Sequence, residues 1–173
     1  MANVWLIGHD VNEELDPSVK FTGDSIKICW GDGSLSKVSM VVALVYRNAA
    51  NVYKVIRQGY DANAGDTVGF EQANSGKCTG LAFAKDISLT SGIFNISGGT
   101  PYLLRLKLLY NEATPQPIVV ESSSNFPTQG RCYDSSATIE TSQITRKIRQ
   151  CQFYQAPPEI FDYVLFSEEG LTK

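Results

Sequence analysis

Thr128–Gln155 reads TQGRCYDSSATIETSQITRKIRQCQFYQ, two β-strands folded back on one another with a staple between them. With the turn placed between Thr141 and Ser142, counting back along each strand sets Cys132 opposite Cys151. The same register sets Ile139 opposite Ile144 and Asp134 opposite Arg149. An apolar pair and an opposite-charge pair both stabilise antiparallel ladders. Cysteines facing each other across two strands reach disulfide geometry with little backbone strain.

Strand signals continue outward from this hairpin. Tyr102–Tyr110 places Leu104, Leu106, Leu108 and Tyr110 on one face, with Arg105 and Lys107 on the other. Downstream, Pro157-Pro158 separates the hairpin from Phe161–Phe166, whose apolar residues on both faces suit a closing strand buried on two sides. Pro115 and Pro117 introduce Ile118–Glu121, an edge strand because proline cannot donate to a ladder. Ser25–Trp30 alternates strictly, so Ile26, Ile28 and Trp30 share a core face, and Gly31-Asp32-Gly33 turns the chain. Val38–Tyr46 and Val52–Tyr60 form a hairpin across an Asn-bounded loop. Val38–Ile56 also has the Ala and Leu content of one long helix, but its β-branched density favours strands. Asp61–Cys78 reads as a long loop, and Leu81–Leu89 and Ile93–Ile96 as short strands. The expectation is one all-β domain over residues 1–173, an antiparallel β-sandwich with two disulfides.

The four cysteines allow three pairings. The hairpin register selects Cys132–Cys151 and leaves Cys29–Cys78, and two bridges imply an oxidising compartment. Four reduced thiols in a core are the alternative. Charged residues make up only 19% of the chain, and Ser, Thr, Asn and Gln fill the gap, as suits a secreted or surface protein. A net charge of −3 and a pI near 5.2 predict no nucleic-acid or anionic-membrane footprint. The basic run Arg146, Lys147, Arg149 reads as a solvated strand face. Met1–Gly8 lacks the charged start and apolar core of a signal peptide. Disulfides without an export signal imply a soluble piece of a longer protein, Met1-Ala2 being an added start.

No site for chemistry converges. Asp61-Ala62-Asn63-Ala64-Gly65-Asp66 echoes a calcium loop, but its glycine sits one place early and Gln72 stands where a bidentate glutamate belongs. His9 is the sole histidine, which excludes a zinc constellation and leaves one candidate base. There is no G-x-S-x-G elbow, and Glu13-Glu14 and Glu168-Glu169 are sequence neighbours near the chain ends. The expectation is therefore no enzyme and no cofactor. Tyr53, Tyr60, Tyr133 and Tyr154 are candidates for an exposed sugar-binding platform, while Trp30 belongs to the core. Asn95-Ile96-Ser97 is a glycosylation sequon, meaningful only in a host that glycosylates such sites.

Leu103–Asn111 (LLRLKLLYN), Phe126–Gly130 (FPTQG), Ile144–Ile148 (ITRKI) and Pro158–Ser167 (PEIFDYVLFS) are similar to the C-terminal part of type IV pilin-like proteins. The resemblance covers roughly Tyr102–Leu171, with a weaker echo at Ile26–Trp30. It is nearest to large minor-pilin or pilus-assembly proteins of small-genome bacteria. It implies an extracellular β-rich head carried on an N-terminal hydrophobic helix, and brings no catalytic residues with it. The partners it implies are other pilus subunits or a cell-surface ligand, with membrane contact only through the missing helix. Contiguous apolar surface near Met1–Gly8, where such a helix would pack, is the structural sign to look for. The function expected is structural or adhesive, at the cell surface. Its rivals are a free-standing carbohydrate- or surface-binding module and, more remotely, a hydrolytic enzyme.

Overall fold

The computed structural model describes residues 1–75, 78–111, 114–139, 141 and 144–159. Among them no helix forms, and thirteen strands do. In chain order these are β1 (Ala2–Trp5), β2 (Ile7–His9), β3 (Leu15–Lys20), β4 (Ser25–Trp30), β5 (Ser39–Arg47), β6 (Tyr53–Asp61) and β7 (Glu71–Gln72). There follow β8 (Asn74–Ser75), β9 (Phe83–Ser88), β10 (Thr100–Leu109), β11 (Ile118–Glu121), β12 (Gly130–Ile139) and β13 (Ile144–Phe153).

Two sheets make the body. One has the order β1-β10-β5-β6-β7 and the other β11-β4-β9-β8, antiparallel throughout except for β6 against β7. Strand alternation turns Ile26, Ile28 and Trp30 of β4 and Ile87 of β9 inward to meet Met40, Val42 and Leu44 of β5 and Leu104 and Leu106 of β10. These side chains fill one core between the sheets, so the body is a β-sandwich. Trp30 is fully buried, and its indole N–H donates to the Val38 carbonyl at 2.8 Å. Burying this large ring leaves no polar group unmet.

Cys29 alternates with the inward residues of β4 and so faces outward. There it bonds Cys78 beside Ala84 and Leu81, pinning the Gly- and Asn-rich segment over the four-stranded sheet. That segment is less irregular than expected, because it contributes β7 and β8. Gly59 is required within β6, since a Cβ there would meet the Phe70 ring at 2.3 Å. The hairpin of β5 and β6 forms as predicted, in place of the long helix. Ile118–Glu121 is an edge strand as its prolines require.

One expected strand needs correction. Ile93–Ile96 is a turn, not a strand, since Phe94 and Ile96 anchor the loop by burial in the core and not by pairing. Within Met1–Gly8, Met1 is exposed and Ala2 and Val4 are half-buried. There β1 adds to the edge of β10, and Trp5, Leu6 and Ile7 are buried. Arg105 does point away from the main core, yet it is only 3% exposed. The segment after β13 crosses that outer face, where Tyr154 and Ala156 pack on Trp5, Ile7, Tyr102 and Leu103. Arg105 donates to Asn3 Oδ1 and to the Pro157 carbonyl, while Lys107 pairs with Glu159 at 3.1 Å. The strand expected at Phe161–Phe166 lies outside the described residues.

Candidate contact site: the stapled arm and its base

Among the described residues β12 and β13 pair only with each other, in the register that sets Cys132 opposite Cys151. The cysteines are bonded, with Cα atoms 4.0 Å apart. Nearly every residue of both strands is exposed, so the ribbon is an arm beside the sandwich and not a layer of it. At about 3.3 Å per residue, ten residue pairs extend roughly 33 Å.

The two faces of the arm differ. One carries Phe153, the disulfide, the paired Asp134 and Arg149 (2.7 and 2.9 Å), Lys147, and hydroxyls of Thr138 and Thr145 at 2.9 Å. The Arg149 guanidinium holds the Asp134 carboxyl below its ordinary pKa. The other carries Arg131, Tyr133, Ile148, Ala137, Arg146, Ile139 and Ile144. Tyr133, Ile139, Ile144 and Ile148 are 53–68% exposed. Single exposed apolar residues are ordinary, but four on one face of a ribbon form a stripe.

The base of the arm is clamped to the body. Gln129 occupies the open edge of β1: its Oε1 accepts the Trp5 N–H at 2.7 Å, and its Nε2 donates to the Trp5 carbonyl at 2.9 Å. An amide side chain thus does what a neighbouring strand would do. Arg131 donates to the carbonyls of Asp10 and Val11 in the β2–β3 turn. The His9 ring stacks on Tyr154 (centroids 4.0 Å apart) and meets the edge of Trp5 at 4.6 Å. His9 Nδ1 is buried without a hydrogen-bond partner among the described residues. Burial pushes its pKa below the ordinary imidazole value; Glu13 and Asp10 oppose that shift and Arg131 adds to it. A recess of about 340 Å³ opens beside this clamp, lined by Ala2, Asn3, Trp5, Gln129, Phe153 and Tyr154.

The other candidate residues are scattered. Both Asp61 oxygens are occupied, by Ser39 Oγ at 2.8 Å and the Thr67 N–H at 2.5 Å, while Asn63 donates to Asp66. Asp61 therefore closes its own loop. No group of three or more metal-ligating side chains gathers among the described residues. Tyr60 is buried under the Lys85 ammonium, Tyr53 packs edge-on against Tyr102, Tyr154 stacks on His9, and Tyr133 stands on the arm. They form no common platform. Asn95 Oδ1 is held by the N–H and Oγ of Ser97 in an exposed turn. Glu13-Glu14 lie in the exposed β2–β3 turn, and Glu168-Glu169 lie outside the described residues.

Sequence reasoning missed the clamp. The apolar run Val4–Ile7, ended by Gly8, is a strand signal, but weighing it only as an export signal hides this. Nothing local marks Gln129 as a partner of Trp5, 124 residues away. No family model, curated protein or solved structure matches the chain.

Proposed function

We propose that the chain is an extracellular structural or adhesive domain of a type IV pilin-like subunit, working by protein–protein or surface contact and not by turnover. The observation that carries this reading is the stapled arm. A two-stranded ribbon is marginal in water, and this one is covalently held open to solvent with an uncovered apolar stripe. Two disulfides favour an oxidising location. With Trp5, Leu6 and Ile7 buried, the reading rests on the arm, the bridges and the resemblance, not on an apolar patch near Met1.

The test is the product of the native gene. It should fractionate with the membrane or with sheared surface filaments and yield Cys29–Cys78 and Cys132–Cys151 peptides under non-reducing mapping. A product confined to the cytoplasm with four free thiols refutes the reading. A free-standing carbohydrate-binding module is the second reading, favoured by Phe153, 73% exposed at the rim of the aromatic recess. Calorimetric titration with soluble oligosaccharides, and its loss in Phe153→Ala, would decide for it.

A further inference from the structure

We infer that the clamp at the base of the arm is a pH-operated latch. With His9 neutral, its ring fills the slot between Trp5 and Tyr154 and fixes the arm. With His9 protonated, the ring leaves for the carboxylates of the β2–β3 turn and the base of the arm loosens. This rests on the reading that the arm is the element that makes contact, and adds the condition under which it is held.

Tyr154 is the joint. It follows β13 directly, its N–H donates to the Gln129 carbonyl at 3.0 Å, and its own carbonyl accepts the Trp5 indole N–H at 3.4 Å. The His9 imidazole of the body stacks on its ring at 4.0 Å, and the Arg131 guanidinium of the arm lies 6.0 Å from the same ring's centroid. A change at His9 therefore reaches the arm through one residue.

The slot suits a neutral ring. His9 Nδ1 is buried and meets no hydrogen-bond partner among the described residues. A neutral imidazole can keep its proton on Nε2, but an imidazolium carries one on both nitrogens. Protonation thus adds a charged donor at Nδ1 with no acceptor, and charged groups are the costlier kind to bury unmet. The fixed charge of Arg131 opposes a second cation beside it.

Outside the slot the balance reverses. Glu13 and Asp10 in the β2–β3 turn both favour the charged ring. The Glu13 carboxylate is exposed and makes no hydrogen bond or ion pair among the described residues, whereas Asp10 already accepts the N–H groups of Asn12 and Glu14. From β3, Leu15 stands opposite His9, and the Asp16 carboxylate is taken by the N–H and Oγ of Ser18. From β10, Tyr102 and Leu103 pack beside Tyr154, and Arg105 is held by Asn3 and Pro157. The latched form refuses a proton that the released form accepts. The latch therefore holds fully above about pH 6.5 and weakens as pH falls below it.

Proton NMR on the purified, oxidised chain tests this, since His9 is the sole histidine and gives the one titrating imidazole. The His9 and Tyr154 rings should show a nuclear Overhauser contact at about pH 7.5 and lose it by about pH 5 as His9 titrates. Amide protection at Cys151–Tyr154 should fall at least about fivefold over the same range, while that of the edge strand β11, which opens without moving His9, should not change. His9→Phe should keep its protection at both pH values, and Glu13→Gln, on the exposed turn, should move the wild-type midpoint to lower pH. An unchanged melting temperature at about pH 7.5 confirms the fold of each variant, and if His9→Phe melts lower the Glu13→Gln midpoint decides. A ring contact that persists once His9 is protonated, a folded His9→Phe variant whose base still loosens, or a midpoint unmoved by Glu13→Gln would overturn the inference. Loss of protection at β11 in step with the arm's base would overturn it equally, because that marks a general loosening. Failure of the latch leaves the proposed function standing, and a reduced cytoplasmic product removes that function without touching these measurements.

Discussion

Removing the two disulfides separately should produce effects of different kind, because one bridge ties the body and the other only the arm. Cys132 and Cys151 are 19 residues apart and Cys29 and Cys78 are 49 apart. The chain-entropy relation gives about 3 kcal/mol for the first loop and about 4 kcal/mol for the second. In Cys29→Ala/Cys78→Ala that loss falls on the cooperative unit, since Cys29 is fully buried in β4 beneath the loop it pins. For a domain of this size each 1 kcal/mol shifts the midpoint by about 2–4 °C, so a fall of about 8–16 °C is expected. In Cys132→Ser/Cys151→Ser the lost energy belongs to a ribbon that pairs with no other described strand. The arm should open locally, its amide exchange accelerating by about a hundredfold, while the body's midpoint moves by no more than about 2 °C. Differential scanning calorimetry reads the body, and hydrogen exchange on peptides from residues 130–153 reads the arm. A fall of about 8 °C or more in the calorimetric midpoint of the arm variant would show that arm and sandwich unfold as one, and would refute the division drawn here.

Three further outcomes follow from single side chains. Burial lowers the His9 pKa below 6.5, so the unfolded chain takes up a proton that the folded chain refuses. Stability should then fall as pH drops below about 6.5. His9→Phe, which keeps an aromatic ring between Trp5 and Tyr154, should flatten denaturant-derived stability between about pH 5 and 6.5, and an unchanged slope would disprove the assignment. Asp61→Ala strands the Ser39 hydroxyl and the Thr67 N–H and should cost about 2–3 kcal/mol. Wild-type melts in EDTA and in millimolar calcium should meanwhile agree within a few degrees, and a large calcium-dependent rise would make Asp61–Asp66 a metal loop after all. Gly59→Ala drives a methyl into the Phe70 ring and should cost about 1–3 kcal/mol. Adding Phe70→Leu should recover part of that loss, and no recovery would mean that the glycine serves another need.

Much of the architecture was readable because it is local. Strict alternation marked Ser25–Trp30 and its inward face, and proline placed Ile118–Glu121 at an edge. Where apolar residues serve a turn, local pattern misled: Phe94 and Ile96 look like strand residues but pin a loop to the core. β1 to β3 went unseen, since Met1–Gly8 was weighed only as an export signal and Leu15–Lys20 has too few buried residues to alternate. The candidate site divides in the same way. The ladder and staple of the arm could be read, whereas the clamp at its base could not.

By itself, then, the sequence determined the pairing of Gly130–Phe153, both disulfide partners and the inward faces of β4 and β10. These follow from the alternation of side chains along a strand or from counting within one hairpin, except Cys29–Cys78, which is the pair that the hairpin leaves over. Only tertiary structure decided that the arm stands apart from the sandwich. Each face of the ribbon mixes polar and apolar residues, so alternation names no buried side. Its position is set by contacts such as Gln129 to Trp5 and Arg131 to Asp10, more than a hundred residues apart. Pairings at that distance leave no period in the chain, because each is a single side chain meeting a backbone that another part of the fold has already put in place.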